Sequence, residues 1–167
     1  MIQQRPGDVL EIYFEEKWYY LTVVTKIYMF GGNIVYAFHG DGSKVDGFLA
    51  SPINPGFNIC TDLLLPKKNG IVKRIGKVED PLEYLVINLQ KQCAEHRLGM
   101  KAKEWWLSSI DPPGENVTRT KRLANKQELA MDSGMYSFDL ATSKILEHYT
   151  PDKNPFIDRS VLRGLFS

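Results

Sequence analysis

Histidine, cysteine and carboxylate side chains are the groups most able to carry chemistry, and the sequence holds three histidines and two cysteines. The segment His39-Gly40-Asp41-Gly42 places an imidazole two residues from a carboxylate, a pairing that general acid–base catalysis uses. The same residue types also suit a β-turn with a polar tip. We expect a turn here, and an enzyme that uses His39 and Asp41 is the third alternative for the function.

The sequence contains none of the motifs that mark common active sites. His39, His96 and His148 do not stand in the spacings of zinc sites. The phosphate-binding GxxxxGKS/T loop, the dinucleotide-binding GxGxxG turn and the GxSxG elbow of hydrolases are also absent. Cys60 and Cys93 fit no metal-ligand spacing, and Cys60 is expected to be a buried strand thiol. We therefore expect no catalytic residue, no metal and no cofactor, and a protein that is not an enzyme.

The 167-residue chain has the composition of a folded, soluble protein, with 43% apolar residues, 25% charged residues and a formal net charge of +1. A dedicated DNA-binding protein is usually strongly basic, and the 8 Phe, 8 Tyr and 3 Trp argue against disorder. No apolar run reaches the length of a signal-peptide core or a membrane span. We expect a cytoplasmic protein, with reduced thiols and no membrane contact.

The near-neutral net charge hides separate acidic and basic segments. Acidic side chains dominate the first sixteen residues and a later turn: Asp8, Glu11, Glu15, Glu16, Asp41 and Asp46. Basic side chains cluster in the second half at Arg97, Lys101, Lys103, Arg119, Lys121, Arg122 and Lys126. Arg119 and Lys121 alternate along a predicted strand, which would place both on one face. That face either binds phosphates or is solvated strand surface.

Turn residues and β-branched or aromatic runs predict an antiparallel meander in the first half. Strands are expected at Asp8–Phe14, Trp18–Tyr28, Asn33–Phe38 and Ile71–Ile75, with a tight turn at Gly31-Gly32-Asn33. Short strands joined by glycine-bearing turns are typical of a bent antiparallel sheet or an SH3-like half-barrel.

The second half predicts a mixture of helices and strands. Asp80-Pro81-Leu82-Glu83 has the residues of a helix start, and the spacing from Leu82 to Cys93 predicts a helix that ends near Gly99. A short strand at Tyr84–Leu89 is the alternative. Further elements are expected as strands at Glu104–Ile110 and Val117–Leu123 and helices at Asn125–Gly134 and Asp139–Tyr149. We therefore expect an α+β fold with a β-rich region at residues 1–80 and an α+β region at residues 81–167, packed as one unit.

The first half also resembles a known family. The resemblance rests on four stretches over about residues 4–80: Arg5-Pro6-Gly7-Asp8-Val9-Leu10-Glu11-Ile12, the strand Trp18–Val24, Tyr36-Ala37-Phe38, and Lys73-Arg74-Ile75-Gly76. Together they resemble the immunity protein 26 family of bacterial polymorphic-toxin and contact-dependent-inhibition systems. The family commonly shows an aromatic residue shortly before the Ile-Gly pair, where this sequence has Val72.

This resemblance implies a cytoplasmic inhibitor that binds the C-terminal domain of one cognate toxin, without catalysis or cofactor. Toxins of these systems are often nucleases with basic clefts, which an acidic inhibitor edge would complement. We therefore predict a toxin-binding surface made by Glu15, Glu16, Asp41 and Asp46 together with Trp18. The alternative for Trp18 is a place in the core.

A different class of protein is the second alternative for the function. A β-rich domain followed by a basic strand could bind RNA or another single strand. Arg119, Lys121 and Arg122 would then contact the phosphates, with Trp105 or Trp106 as the stacking group. The near-neutral charge makes this reading the weaker one, and we expect no nucleic-acid partner.

Overall fold

The computed structural model describes residues 3–27, 32–94 and 100–158, and these residues form an α+β fold, which confirms the predicted fold class. In chain order the strands are β1 (Asp8–Phe14), β2 (Lys17–Ile27), β3 (Gly32–Phe38), β4 (Gly56–Thr61), β5 (Ile71–Lys77), β6 (Gln90–Ala94), β7 (Glu104–Ser108), β8 (Thr118–Thr120), β9 (Met131–Asp132) and β10 (Met135–Tyr136). The helices are α1 (Leu64–Asn69), α2 (Asn125–Glu128) and α3 (Phe138–Leu146), with 3-10 turns at Pro81–Tyr84 and Pro151–Lys153. Part of the predicted Gly31-Gly32-Asn33 turn, the helix end near Gly99, His96 and Arg97 lie outside the described residues.

The chain divides into two compact units that interleave along the sequence. The first unit takes the described residues of Met1–Val86 and Gly134–Tyr149, and the second takes those of Ile87–Ser133 and Thr150–Ser167. The sequence predicted a boundary near residue 80, but it did not predict that Gly134–Tyr149 would rejoin the first unit. No helix among the described residues is long and apolar enough to cross a membrane.

A six-stranded sheet in the order β10-β4-β3-β2-β1-β5 forms the first unit. Strands β1 to β3 make the predicted antiparallel meander, and β4, whose bounds the sequence did not predict, continues it. Strand β5 returns to pair antiparallel with β1. The short β10 joins β4 in parallel from 75 residues further along the chain. The register shifts between Val9 and Leu10 and between Val23 and Thr25, and such bulges bend the strands that carry them.

The main core of the first unit lies between one face of this sheet and α3. Alternate residues of β1, such as Leu10 and Ile12, are fully buried there together with Ile145 of α3, as the two-residue period of a strand requires. The ring of Phe138 meets the rings of Phe14 and Tyr19 edge to face, with centroids 5.3 and 6.1 Å away. This aromatic contact fixes α3 against the sheet.

The helix predicted from Asp80 to Gly99 is wrong, and so is the strand predicted at Tyr84–Leu89. The predicted capping residue does begin a turn: the Asp80 carboxylate accepts a hydrogen bond from the Leu82 amide at 3.1 Å. The turn then stops, because the Asn58 side chain donates to the Tyr84 carbonyl and accepts from the Val86 amide, both at 2.8 Å. These backbone groups would otherwise continue a helix.

The second unit contains a four-stranded sheet in the order β8-β7-β6-β9. Its core is small and is built from Trp105, Leu107, Leu123 and Ile157. The strand predicted at Val117–Leu123 is shorter than expected. It ends at Thr120, because the hydroxyl of that residue accepts from the Arg122 amide and donates to the Arg122 carbonyl and so turns the chain.

A buried ammonium group stands at the centre of the second unit. Lys91 of β6 is 1% exposed, and its Nζ donates to the carbonyl oxygens of Glu128, Ala130 and Pro151 at 2.7, 2.8 and 2.8 Å. These bonds use all three protons of the ammonium. The Asp132 carboxylate lies 3.5 Å from Nζ and accepts a bond from Asn154. Burial lowers the pKa of Lys91 from its ordinary value, and Asp132 opposes this shift.

Replacing Lys91 by Met should lower the free energy of unfolding by about 3–5 kcal/mol, because the change leaves one buried carboxylate and three carbonyls without their cation. Urea denaturation followed by tryptophan fluorescence would measure the loss. The control is Lys103→Met at an exposed position, for which we expect a change within about 0.5 kcal/mol. Equal stability of the two variants would show that the buried ammonium is dispensable.

Candidate protein-interaction surface

Strand β3 is buried along its whole length, on both faces of the sheet. Val35 and Ala37 belong to the core that packs against α3. The alternate residues Tyr36 and Phe38 therefore point to the opposite face. Their large apolar rings need a cover of their own, since exposing them to water is unfavourable.

Two segments of the first unit provide this cover. The ring of Phe48 stacks on that of Tyr20 with centroids 4.2 Å apart, and it meets the ring of Phe38 at 5.0 Å. Tyr84, from the 3-10 turn, meets Tyr36 at 5.7 Å and Phe38 at 6.3 Å. We call these five rings the aromatic layer. Phe48 belongs to the β3–β4 loop, residues 39–55, which therefore lies over the sheet.

Hydrogen bonds from the aromatic layer hold the backbone of the β3–β4 loop. The Tyr20 hydroxyl accepts from the Val45 amide at 2.8 Å and lies 3.2 Å from the Glu11 carboxylate, to which it donates. The Tyr36 hydroxyl donates to the Asn54 carbonyl at 2.5 Å. Burial raises the pKa of both phenols above the ordinary value, so they stay protonated at neutral pH. The loop is thus fixed near both of its ends.

Although its backbone is held, the β3–β4 loop exposes large apolar side chains. Leu49 is 83% exposed and Ile53 is 88% exposed, and Val45 is 47% exposed. Three large apolar side chains exposed on one segment whose backbone is held make this loop a candidate interaction site. The sequence patterns did not predict these residues. The available signal was the presence of isolated apolar residues in a segment punctuated by proline and glycine.

The carboxylates of the predicted toxin-binding surface are all exposed. Glu15 and Glu16 form the two-residue turn between β1 and β2, and Asp41 and Asp46 lie on the β3–β4 loop. Both glutamates have positive φ angles, +48° and +63°. Such turns prefer Asn and Gly, because other residues are strained in this conformation.

Trp18 links the β1–β2 turn to the β3–β4 loop. Its backbone amide donates to the Gly42 carbonyl at 2.9 Å. The indole is half-buried, with the ring of Tyr13 at 4.9 Å and the ammonium of Lys44 at 4.6 Å from the ring centroid. Trp18 is therefore partly packed and partly open to solvent. The structure places the turn beside the start of the loop.

His39 and Asp41, the residues of the enzyme alternative, both bind backbone groups. The Asp41 carboxylate accepts from the Ser43 amide at 2.8 Å, which lowers the pKa of that carboxyl. The Nε2 of His39 lies 2.7 Å from the Tyr149 carbonyl, to which it donates. The His39 ring also stacks on that of His148, with centroids 5.1 Å apart. These contacts are those of a polar turn packed against the end of α3.

Two further observations concern side chains that could act as nucleophiles or metal ligands. Burial raises the pKa of the Cys60 thiol to about 11, so the nucleophilic thiolate does not form at neutral pH. Among the residues that the structure describes, no three His, Cys, Asp or Glu side chains are grouped so that they could hold a metal ion.

The basic strand of the second unit differs from its prediction. Trp105 is buried, so only Trp106, 40% exposed, can offer a ring to a base. The guanidinium of Arg119 already lies over that ring, 4.4 Å from its centroid. Lys121 falls beyond the end of β8, so it does not share a strand face with Arg119 as predicted.

A small cavity lies beside this strand. It measures about 90 Å³. Its charged lining side chains are of both signs: Lys121, Arg122, Glu128 and Asp158.

No family model, curated protein or solved structure matches this chain.

Replacing Tyr20 by Phe should free the β3–β4 loop while leaving the sheet intact, because the Val45 amide loses its hydroxyl partner. We expect a loss of about 1 kcal/mol in stability and faster amide exchange confined to residues 41–54, measured by hydrogen-exchange mass spectrometry. Tyr13→Phe, on the neighbouring strand, is the matched control and should leave the exchange of the loop unchanged. Unchanged exchange in Tyr20→Phe would mean that other contacts fix the loop.

Proposed function

We propose that this chain is an immunity protein that binds the C-terminal domain of a cognate toxin and neutralises it by protein–protein contact. The contact surface consists of the β3–β4 loop and the β1–β2 turn. The observation that carries the proposal is the exposure of Leu49 and Ile53, 83% and 88%, on a loop whose backbone is held from beneath. The inhibitor performs no catalysis and acts in the cytoplasm.

A fixed loop with apolar tips is well suited to binding another protein. Interfaces gain most of their affinity from a few apolar or aromatic anchors that are buried in the partner. Ordering a loop on binding costs free energy, and the aromatic layer has already ordered this one. Leu49 and Ile53 can therefore act as anchors without that cost.

The exposed carboxylates of the β1–β2 turn and the β3–β4 loop supply electrostatic complementarity. Glu15, Glu16, Asp41 and Asp46 are exposed, and Lys17 and Lys44 lie among them. The chain resembles the immunity protein 26 family, and the toxins of such systems are often nucleases with basic clefts. Carboxylates at the rim would speed association with such a cleft.

The backbone of the β1–β2 turn supports a functional role for its glutamates. Two non-glycine residues in the left-handed region cost stability relative to Asn-Gly. Packing of the two glutamate side chains does not offset this loss of stability, because both residues are exposed to solvent. Contact with a partner accounts for acidic residues at this strained position.

The test begins with the gene next to the one for this chain, where we expect a large secreted protein with a variable C-terminal domain. That domain is the probe for the apolar anchors, and the absence of such a gene would count against the proposal. Co-expression of the wild-type chain should rescue growth, and calorimetry should show tight binding. Replacing both anchors, Leu49→Asp with Ile53→Asp, should weaken binding at least about 30-fold, since each anchor contributes more than about 1 kcal/mol. Val117→Asp, at an exposed apolar position of the second unit that is 59% exposed, is the control. Wild-type affinity in the double variant would exclude the β3–β4 loop from the interface.

Replacing Glu15 by Asn and Glu16 by Gly should separate stability from binding. The free energy of unfolding should rise by about 1 kcal/mol as the turn strain is relieved. The association rate with the same toxin domain should fall several-fold at low salt, and the difference should shrink at high salt. Stopped-flow mixing measures the rate. Glu79→Gln with Glu147→Gln removes two exposed carboxylates elsewhere as the control, and a rate equal to that of this control would refute a role for the turn.

A further inference from the structure

Strand β5 is an open edge of the first sheet. It pairs with β1 on one side, and no other described strand pairs with it on the opposite side. Five of its seven residues are exposed: Ile71, Lys73, Arg74, Gly76 and Lys77. An exposed edge presents unpaired backbone N–H and C=O groups, which can pair with the strand of another chain.

The segment that contains this edge carries only positive charge. Residues 63–78 include five basic side chains, at Lys67, Lys68, Lys73, Arg74 and Lys77, and no acidic side chain. Burial lowers the pKa of Lys67 and the cation of Lys26 lowers it further, while the carboxylate of Asp62 opposes the shift. Three of the five basic side chains, Lys73, Arg74 and Lys77, are exposed on β5 itself.

The pairing of β5 with β1 sets basic residues of β5 opposite carboxylates of a neighbouring strand. In the register of the pair, Lys77 lies opposite Asp8 and Lys73 lies opposite Glu11. The guanidinium of Arg74 also lies 3.7 Å from the Asp8 carboxylate. Opposite charges across neighbouring strands stabilise their pairing. The inner side of β5 is therefore matched by a strand with two carboxylates three residues apart.

We propose that the outer edge of β5 takes up an extended acidic segment of another protein as an additional strand of the sheet. The backbone of that segment pairs with β5, and its carboxylates meet the basic side chains, which project on both faces of the strand. A second copy of this chain is not the occupant, because antiparallel pairing of two β5 strands would set their cations against each other. The edge is separate from the β3–β4 loop, and its occupation does not depend on the loop's function.

The probe is a fluorescein-labelled nine-residue peptide with Asp and Glu in the spacing of β1 and Thr and Val between them. We expect saturable binding to the full chain by fluorescence anisotropy at low salt, and slower amide exchange at residues 71–77. Replacing Lys73 and Lys77 by Gln should weaken binding about fivefold. The same change at Lys121 and Lys126 is the control and should have no effect. Circular dichroism checks that both double variants are folded.

Two further probes separate strand addition from simple attraction of a polyanion. The same peptide with N-methylated backbone keeps its charge but cannot donate to the edge, so its binding should be lost. A twenty-residue oligothymidine should not compete with the acidic peptide. Equal binding of the N-methylated peptide, competition by the oligonucleotide, or no saturable binding of the acidic peptide would each overturn the proposal. In the last case the lysines only protect the edge from aggregation.

Discussion

The double burial of β3 is the constraint on which the first unit depends. A strand buried on both faces needs a layer on each side of the sheet, and one chain must supply both. Helix α3 forms one layer, and the β3–β4 loop with the 3-10 turn at Pro81–Tyr84 forms the other. The loop is consequently a structural layer, and only its outward side chains are free to serve another purpose.

In the second unit, the buried ammonium of Lys91 connects distant parts of the chain. Its apolar core has few residues, and small cores contribute little stability. Lys91 joins three backbone carbonyls that lie up to 60 residues away along the chain. The net stability gained from such a buried ammonium is small, because the free energy of desolvating the charge offsets much of the free energy of its hydrogen bonds. The ammonium determines which carbonyls meet, whereas an apolar contact would tolerate neighbouring registers.

Local patterns predicted β1, β2, β3, β5 and β7, because alternation and turn residues act over a few positions. They did not predict the bounds of β4, nor β6, nor the two-residue strands β9 and β10, which pair in parallel with strands distant in the sequence. The helix predicted after Asp80 failed because Asn58, on β4, binds the backbone there, and no local pattern shows that contact. The stacking of His39 on His148 joins residues over a hundred positions apart. Leu49 was missed because apolar residues are expected to be buried.

The interleaving of the two units has a consequence for the order in which they can fold. The first unit lacks β10 and α3 until residue 149 has been synthesised, by which time residues 87–133 of the second unit are already present. The second unit in turn waits for the segment from Thr150, which brings the Pro151 carbonyl to Lys91. The first unit therefore has all its residues only after most of the second unit has been made, and the second unit is completed last. Both depend on contacts between distant residues, which form slowly.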